Sequence, residues 1–263
     1  MIGLFLGEKK LPLEILKSLK KKKLKYFIID LSKKNRFKDD KNSHFISIGK
    51  FGKILDLIKS KKCKKVIFAG NIIKPKISKL KLDLKGIYYI PRIIKASKLG
   101  DAAILKELIK ILSENKIKVI KLNTYNQDLT LKKGCHTKTK PTNADLFLIK
   151  KGIQILNKSN ALNHVQALVI NSAKIVSLEK RKGTKHMLKN IKKKKSIKNL
   201  LIKMPKSKQD LRVDLPTIGL DTLKDCKKAN IKGIVMKANQ NIVLDKLDSL
   251  KYANKNNIFV YAK

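Results

Sequence analysis

Three charged residues that could act together lie within the stretch from Lys203 to Gly219. They are Asp210, Arg212 and Asp214, and they alternate with the apolar residues Leu211, Val213 and Leu215. Successive side chains of an extended chain point to opposite faces, so this alternation predicts a strand with the three charges on one face. The apolar side chains should then point into the core and hold the charged ones together on the open face.

Two carboxylates beside cations suit the cleavage of a phosphate ester or a pyrophosphate. The acids can hold a divalent metal ion, and the metal and cations neutralise charge on the phosphoryl oxygens while water attacks. Lys203, Lys206 and Arg212 supply cations. Asp210 and Asp214 lie four residues apart, which places them on one face of either a strand or a helix. The alternative is an amphipathic edge strand whose exposed ion pairs contribute little energy.

No other motif competes with this segment. The dinucleotide-binding GxGxxG and the phosphate-binding GxxxxGK[ST] patterns are absent from the sequence. The three cysteines are far apart and form no CxxC pair, so neither a zinc site nor a disulfide framework is indicated. Gly7 and Gly70 each follow an apolar run, and ligands often bind at the carboxyl ends of parallel strands. Both glycines are therefore candidate substrate-binding positions.

Lysine dominates the charge of this chain of 263 residues. The formal net charge is +45, and only Arg36, Arg92, Arg181 and Arg212 among the 64 basic residues are arginines. Such charge could bind nucleic acid, but proteins that read nucleic acid also use the bidentate geometry of arginine. An AT-rich coding sequence accounts for most of the lysine excess. We expect no nucleic-acid partner, and we retain as the alternative function a basic protein that binds nucleic acid or acidic lipid without turnover.

The same charge predicts attraction to anionic membranes, worth about 1 kcal/mol for each Lys or Arg near the lipid surface. No apolar run approaches the roughly 20 residues needed to span a bilayer, and the start of the chain does not read as a signal peptide. We expect a cytoplasmic protein that associates peripherally with a membrane. The block of four lysines at 192–195 is interpreted as a solvated turn that could touch lipid headgroups.

Strands and helices alternate along the chain, which predicts a two-domain α/β protein whose first domain is Rossmann-like, with a mostly parallel sheet. Apolar runs predict strands at 2–6, 26–30, 44–48, 66–69, 118–122, 167–170, 174–177, 200–203, 234–236, 242–244 and 259–261. Helical periodicity is found at 11–22, 52–61, 88–112 with an interruption near Gly100, 143–157, 185–192, 221–230 and 245–254. Periodicity is lost near 123–142. We therefore predict domains at 1–128 and 142–263, the second a separate mixed α/β hydrolase domain, joined by a linker at 129–141.

The segment from Pro205 to Gly219, with its QDLRVDLPTIG core, resembles the signature of the UDP-2,3-diacylglucosamine diphosphatase family of lipid A biosynthesis, the alphaproteobacterial type unrelated to the calcineurin-like enzymes. The similarity runs along most of the chain. Shorter matches are the opening IGL with Leu11 and Pro12, then Ala69, Gly70, Pro75, Asp83, Leu99 to Asp101, Gln166, Glu179, Gly183 and Thr184.

This resemblance implies two α/β domains, a homodimer and magnesium-dependent attack of water on the α-phosphorus of UDP-2,3-diacylglucosamine at the inner-membrane surface. The products would be UMP and 2,3-diacylglucosamine 1-phosphate. The catalytic residues are predicted to be Asp214, Asp210 and Arg212, and the Mg²⁺ ligands Asp214, Asp210 and Glu179. The predicted substrate-binding residues are Lys203, Lys206, Gln209, Thr217, Gln166, Thr184, Gly7 and Gly70.

The chain departs from the family pattern at several positions. Glu8 and Lys9 stand in the first turn where glycines are common, Lys182 and Lys185 flank Gly183 and Thr184 where acids are common, and Ala102 replaces another acid. A different nucleotide-sugar hydrolase on the same scaffold remains a further alternative.

Overall fold

The computed structural model describes residues 1–72, 77–159, 165–172, 174–191, 197–206 and 209–263. The chain forms two compact units, Met1–Asn126 and Gln127–Lys263. Pro75 and the lysine block at 192–195, both considered above, lie outside the described residues.

The first unit is built on a five-stranded, wholly parallel sheet. Its strands are β1 (Ile2–Leu6), β2 (Tyr26–Asp30), β3 (Ser43–Phe45), β4 (Lys65–Ala69) and β5 (Lys118–Val119), in the order β3-β2-β1-β4-β5. The helices are α1 (Leu11–Lys21), α2 (Phe51–Ser60), α3 (Leu84–Lys98) and α4 (Asp101–Glu114). The central strand β1 is buried along its whole length, as expected for a parallel sheet covered on both faces. The predicted α/β fold with a parallel first sheet is confirmed.

Helices α3 and α4 meet at Gly100, where the backbone has a positive φ of +103°. That conformation favours glycine, so it ends one helix and begins the next. The carboxylate of Asp83 caps α3 by accepting from the N–H of Gly86, and Arg92 ties the two helices together through Glu107 and Glu114. The predicted interruption near Gly100 is confirmed.

The second unit contains a six-stranded mixed sheet. Its strands are β6 (Gly134–Cys135), β7 (Ala167–Ile170), β8 (Ile175–Leu178), β9 (Asn199–Lys203), β11 (Ile231–Met236) and β13 (Phe259–Ala262), in the order β6-β13-β11-β9-β7-β8. The three central strands β13, β11 and β9 are parallel, and the pairings β6–β13, β9–β7 and β7–β8 are antiparallel. Strands β10 (Thr217–Ile218) and β12 (Ile242–Val243) form a separate parallel pair. The helices are α5 (Asn143–Ser159), α6 (Gly183–Lys189), α7 (Leu220–Lys228) and α8 (Lys246–Lys255).

Residues 129–141, predicted as a linker, contribute to the second unit. Leu131 is fully buried in its core, and its N–H donates to the side chain of Asn241. Strand β6 pairs with β13, where Cys135 lies opposite Tyr261. The polar composition of this stretch is explained by its position at the edge of a sheet, where a short strand needs few apolar residues.

Among the described residues, the helices are all too short or too polar to cross a lipid bilayer.

Candidate active site

A lysine is buried at the carboxyl end of a central strand in the second unit. Lys203 is the last residue of β9, opposite Ala167 of β7, and only 7% of it is exposed. Its Nζ atom donates a hydrogen bond of 2.8 Å to Oγ1 of Thr184, in the first turn of α6. Buried lysines are rare unless they are paired, so this cation requires a nearby anion.

Glu179 supplies that negative charge. It follows β8 directly and is 4% exposed. Its Oε1 accepts from Oγ1 of Thr184 at 2.6 Å, and its Oε2 accepts from the N–H of Gln166 at 3.2 Å. Thr184 therefore accepts a hydrogen bond from Lys203 and donates one to Glu179. The structure brings together four of the predicted site residues, contributed by the ends of three strands and the start of one helix.

Burial lowers the pKa of Lys203, because the protonated amine loses hydration. The negative charges of Glu179 and Asp214 oppose that shift. Burial raises the pKa of the nearby Cys226 thiol, which interacts electrostatically with Lys203 and is fully buried. Cys226 is therefore a neutral core residue in this surrounding.

The segment from Asp210 to Asp214 is a turn and not the predicted strand. The backbone N–H groups of Val213 and Asp214 both donate to the carbonyl of Asp210, as in one turn of helix. The side chain of Asp210 also accepts from the N–H of Arg212 at 3.0 Å, and Pro216 follows shortly after. A short acidic side chain that bonds the backbone two residues on stabilises a turn in competition with strand pairing.

The prediction that Leu211, Val213 and Leu215 point into the core is therefore only partly correct. Leu215 is buried, but Leu211 and Val213 are half-buried because a turn does not alternate its side chains between two faces. The apolar residues consequently do not hold the three charges on one face.

The charged residues of the turn differ in their partners and in their exposure. The guanidinium of Arg212 donates to both carboxylate oxygens of Asp210, at 2.9 and 2.6 Å, and these bonds raise the pKa of Arg212. Asp214 is instead exposed, and it is one of the two acids that act electrostatically on Lys203. The Asp214 carboxylate therefore acts on Lys203 electrostatically and, being exposed, is open to a ligand.

Of the remaining predicted residues of the second unit, Lys206 and Gln209 lie in a loop and Thr217 begins β10. Oε1 of Gln209 accepts from the N–H of Lys206 at 2.8 Å, and the hydroxyl of Thr217 donates to the carbonyl of Leu215 at 2.9 Å. Within the described part of the chain, the buried Nε2 of Gln209 and the buried Oε1 of Gln166 lack a hydrogen-bond partner. Buried polar atoms of this kind are costly to leave unpaired, so a polar ligand is one way to satisfy them.

Gly7 and Gly70 belong to the first unit. A Cβ atom on Gly7 would lie 2.3 Å from the carbonyl oxygen of Asn71, and one on Gly70, whose φ is +84°, would lie 2.5 Å from that of Glu8. The two glycines thus permit the loops after β1 and β4 to approach each other closely. Their part in substrate binding stays a prediction.

The three predicted metal ligands do not form a preformed metal cage. No group of three or more His, Cys, Asp or Glu side chains suited to a metal ion occurs in the ranges that the structure describes. Both oxygens of Asp210 bind Arg212, and both oxygens of Glu179 accept hydrogen bonds from Thr184 and Gln166. Asp214 is left as the exposed carboxylate, which fits a magnesium ion shared with substrate phosphates, the usual mode for this metal.

Sequence reasoning found the members of this cluster but not their arrangement. Lys203 closes the apolar run of β9, and a charged residue at that position was a usable signal of a strand-end site. The link from Lys203 through Thr184 to Glu179 joins residues 19 and 5 positions apart. Local pattern gave no indication of that contact.

The fold and the site define an α/β protein of two units, with a buried lysine at a strand end of the second and an exposed aspartate in a turn further along the chain. Residues 1–129 match the family model for the LpxI N-terminal domain, and residues 132–261 match that for the LpxI C-terminal domain. The chain belongs to the LpxI family. It is 28% identical over 223 residues, 82% of this chain and 80% of the relative, to the UDP-2,3-diacylglucosamine pyrophosphatase LpxI of Caulobacter vibrioides.

Proposed function

We propose that this protein hydrolyses the diphosphate of UDP-2,3-diacylglucosamine, releasing UMP and 2,3-diacylglucosamine 1-phosphate. The observation that carries the proposal is the buried amine of Lys203, held by Thr184 and Glu179, in the same unit as the exposed carboxylate of Asp214. That unit matches the LpxI C-terminal domain. The similarity to a UDP-2,3-diacylglucosamine pyrophosphatase supports the choice of substrate.

Lys203 supplies positive charge where the reaction develops negative charge. Water adds its oxygen to the α-phosphorus, the bond from that phosphorus to the bridging oxygen breaks, and the β-phosphate leaves with the electron pair. A cation held in place before the reaction stabilises this charge without reorganising, and its low-dielectric surroundings strengthen the effect. Thr184 and Glu179 hold the Lys203 amine in position. Lys206 and Arg212 add positive charge nearby.

Asp214 orients the attacking water and accepts its proton, which then passes to solvent because the carboxylate is exposed. We include Mg²⁺ in the proposal: Asp214 would hold the ion, which would neutralise charge on the phosphoryl oxygens. The proposal also includes a cytoplasmic homodimer at the inner-membrane surface, as the family resemblance implies. The amphiphilic substrate and the excess of lysine support the membrane location.

The test is release of UMP from UDP-2,3-diacylglucosamine by the purified protein in the presence of magnesium. We expect UMP from the wild type and none above background from a heat-inactivated sample. Carrying out the reaction in ¹⁸O-labelled water should place the label on UMP, since attack is at the α-phosphorus. Label on the lipid phosphate would contradict the site of attack, and absence of UMP would contradict the function.

UDP-N-acetylglucosamine serves as the matched substrate. It carries the same diphosphate and uridine but has only an acetyl group in place of the long acyl chains. We expect it to react more slowly, because binding energy from remote parts of a substrate contributes to the rate of its reaction. Equal rates for both substrates would favour a general nucleotide-sugar hydrolase.

A further inference from the structure

The outward side of helix α3 in the first unit exposes a continuous apolar surface. Leu84 is 85% exposed, Tyr88 is 72% exposed, and Ile87 and Pro91 are also exposed. Spacings of three and four residues put these four side chains on one face, here called the α3 outer face, along roughly 10 Å of helix. Contiguous exposed apolar surface of this kind marks an interaction site more often than isolated residues do.

The opposite side of α3 holds the helix firmly against its own unit. Gly86, Tyr89 and Ala96 are buried on that side, and a Cβ atom on Gly86 would lie 2.2 Å from the carbonyl oxygen of Gly49. The Asp83 carboxylate accepts from backbone N–H groups of both α2 and α3. The α3 outer face therefore cannot turn inward to bury its apolar side chains without breaking these contacts.

Lysines surround the α3 outer face. Lys79, Lys81 and Lys85 are exposed at its amino-terminal end, and Lys95 and Lys98 are exposed beyond Pro91. Apolar and tyrosine side chains framed by lysines match the boundary of a bilayer, where acyl chains lie below and anionic phosphates lie at the surface. The amphipathic tyrosine ring is also favoured at that depth.

We propose that the α3 outer face docks on the surface of an anionic lipid bilayer, with Leu84, Ile87 and Tyr88 entering the headgroup region and the surrounding lysines contacting lipid phosphates. This contact gives the proposed membrane location a defined surface. It does not depend on hydrolysis, so its test is separate from that of the enzymatic activity.

A second copy of the chain is a poorer occupant for this surface. A two-fold contact would bring the lysines around one face against the same lysines of the other copy, and opposed like charges cost free energy. An anionic bilayer instead complements that charge, and each lysine near it contributes attraction.

The chain contains no tryptophan, so a single introduced tryptophan is a specific optical probe. We choose Tyr88→Trp on the α3 outer face and Leu247→Trp as the matched control. Leu247 is 77% exposed on α8 of the second unit and lies outside this face. Each variant is mixed with vesicles of equimolar phosphatidylcholine and phosphatidylglycerol, and with vesicles of phosphatidylcholine alone. Emission wavelength and quenching by brominated lipids are measured together with sedimentation of the protein.

We expect the emission of Tyr88→Trp to shift to the blue and to be quenched by brominated lipids on the anionic vesicles, while that of Leu247→Trp stays unchanged. General adsorption through the many other lysines would sediment both variants but leave the emission of both unchanged, which would overturn the proposal. Equal shifts in both variants would overturn it as well. A shift for Tyr88→Trp without vesicles that grows with protein concentration would show that a second copy covers the face.

A second pair of variants tests the apolar contribution without adding charge. Leu84→Ser combined with Tyr88→Ser should weaken binding to the anionic vesicles by about tenfold or more, because insertion depends on buried apolar area. Leu247→Ser should leave binding within a factor of about two. Circular dichroism of the double variant checks that the unit is folded. Unchanged affinity of a folded double variant would contradict docking through this face.

Discussion

The Nζ atom of Lys203 lies 2.8 Å from Oγ1 of Thr184, so a buried ammonium group is held by a hydroxyl instead of directly by a carboxylate. A hydroxyl can accept one hydrogen bond and donate another, and Thr184 donates its own to Glu179. The carboxylate that balances the charge of Lys203, that of Glu179, is thus linked to the amine through Thr184. The ammonium keeps donors that can be turned towards a phosphate.

Lys203→Met should abolish most of the activity. Methionine has a similar length but no charge, so transition-state stabilisation by the buried cation is lost, and we expect kcat to fall by about 100-fold or more. Lys251→Met, at an exposed position on α8, is the control and should be active. Wild-type kcat in a folded Lys203→Met protein would exclude the proposed role of the lysine.

Asp214→Asn and Asp210→Asn should differ in their effects. Asp214 is exposed, so its replacement should change the free energy of unfolding by less than about 0.5 kcal/mol while lowering kcat by about 100-fold or more. Asp210 is bound to Arg212, so its replacement should act mainly on the local turn and cause a smaller loss of activity. Initial rates across a magnesium titration measure the loss of activity in both variants. An Asp214→Asn protein with a normal magnesium response would contradict the shared-metal proposal.

Thr184→Val should destabilise the second unit, whereas Thr184→Ser should not. Valine keeps the shape of threonine but removes the hydroxyl that both Lys203 and Glu179 use, and unsatisfied buried polar groups cost about 1–3 kcal/mol each. Serine retains the hydroxyl. The free energy of unfolding in urea measures the difference, and equal values for the two variants would show that the hydroxyl contributes nothing.

Activity should decline at alkaline pH as Lys203 loses its proton, and this decline should begin below the pKa of an ordinary lysine because burial lowers the pKa of Lys203. Glu179→Gln removes a charge that favours the protonated amine, so the alkaline limb of the kcat profile should move to lower pH. The matched control is Glu107→Gln in the first unit, where Glu107 binds Arg92, and the limb should not move.

Loss of the Lys203 proton, which should lower activity, should instead increase stability. Between its lowered pKa and the value of about 10.4 for a lysine in an unfolded chain, the unfolded state binds the additional proton. The contribution of Lys203 to the free energy of unfolding therefore rises with pH through that window. Urea unfolding of the wild type and of Lys203→Met at several alkaline pH values should show this difference in slope.

Gly70→Ala should destabilise the first unit more than Gly100→Ala. Both glycines have a positive φ, at +84° and +103°, so both variants carry backbone strain. Only the new methyl group at Gly70 meets another atom closely, 2.5 Å from the carbonyl oxygen of Glu8, whereas nothing lies within 4 Å at Gly100. We expect an additional cost of about 1–3 kcal/mol in thermal or urea unfolding. Equal costs would mean that the loops can separate without penalty.

Apolar runs were enough to predict most of the fold. The bounds of strands β1, β2 and β7 match those predicted from the apolar runs, because strands buried on both faces are nearly continuous apolar runs. The edge strand β6 was missed. Its two residues, Gly134 and Cys135, are held by pairing with β13, which no local pattern reveals.

The residues of the candidate site were named from the sequence, but their geometry was not predicted. Alternation suggested a strand at Asp210–Asp214, but hydrogen bonds from the Asp210 side chain and carbonyl close a turn there. Local side-chain to backbone bonds of this type override a pattern of period two. The pairing of Arg212 with Asp210 leaves Asp214 as the exposed carboxylate, a difference that spacing alone could not distinguish.

The register of β6 and β13 also constrains the order in which the chain can fold during synthesis. All five strands of the first sheet come from residues 2–119, so that unit can fold while the rest is still being translated. Cys135 can pair with Tyr261 only after Tyr261 has left the ribosome, so β6 joins the edge of the second sheet late. The second sheet is thus completed later than the first.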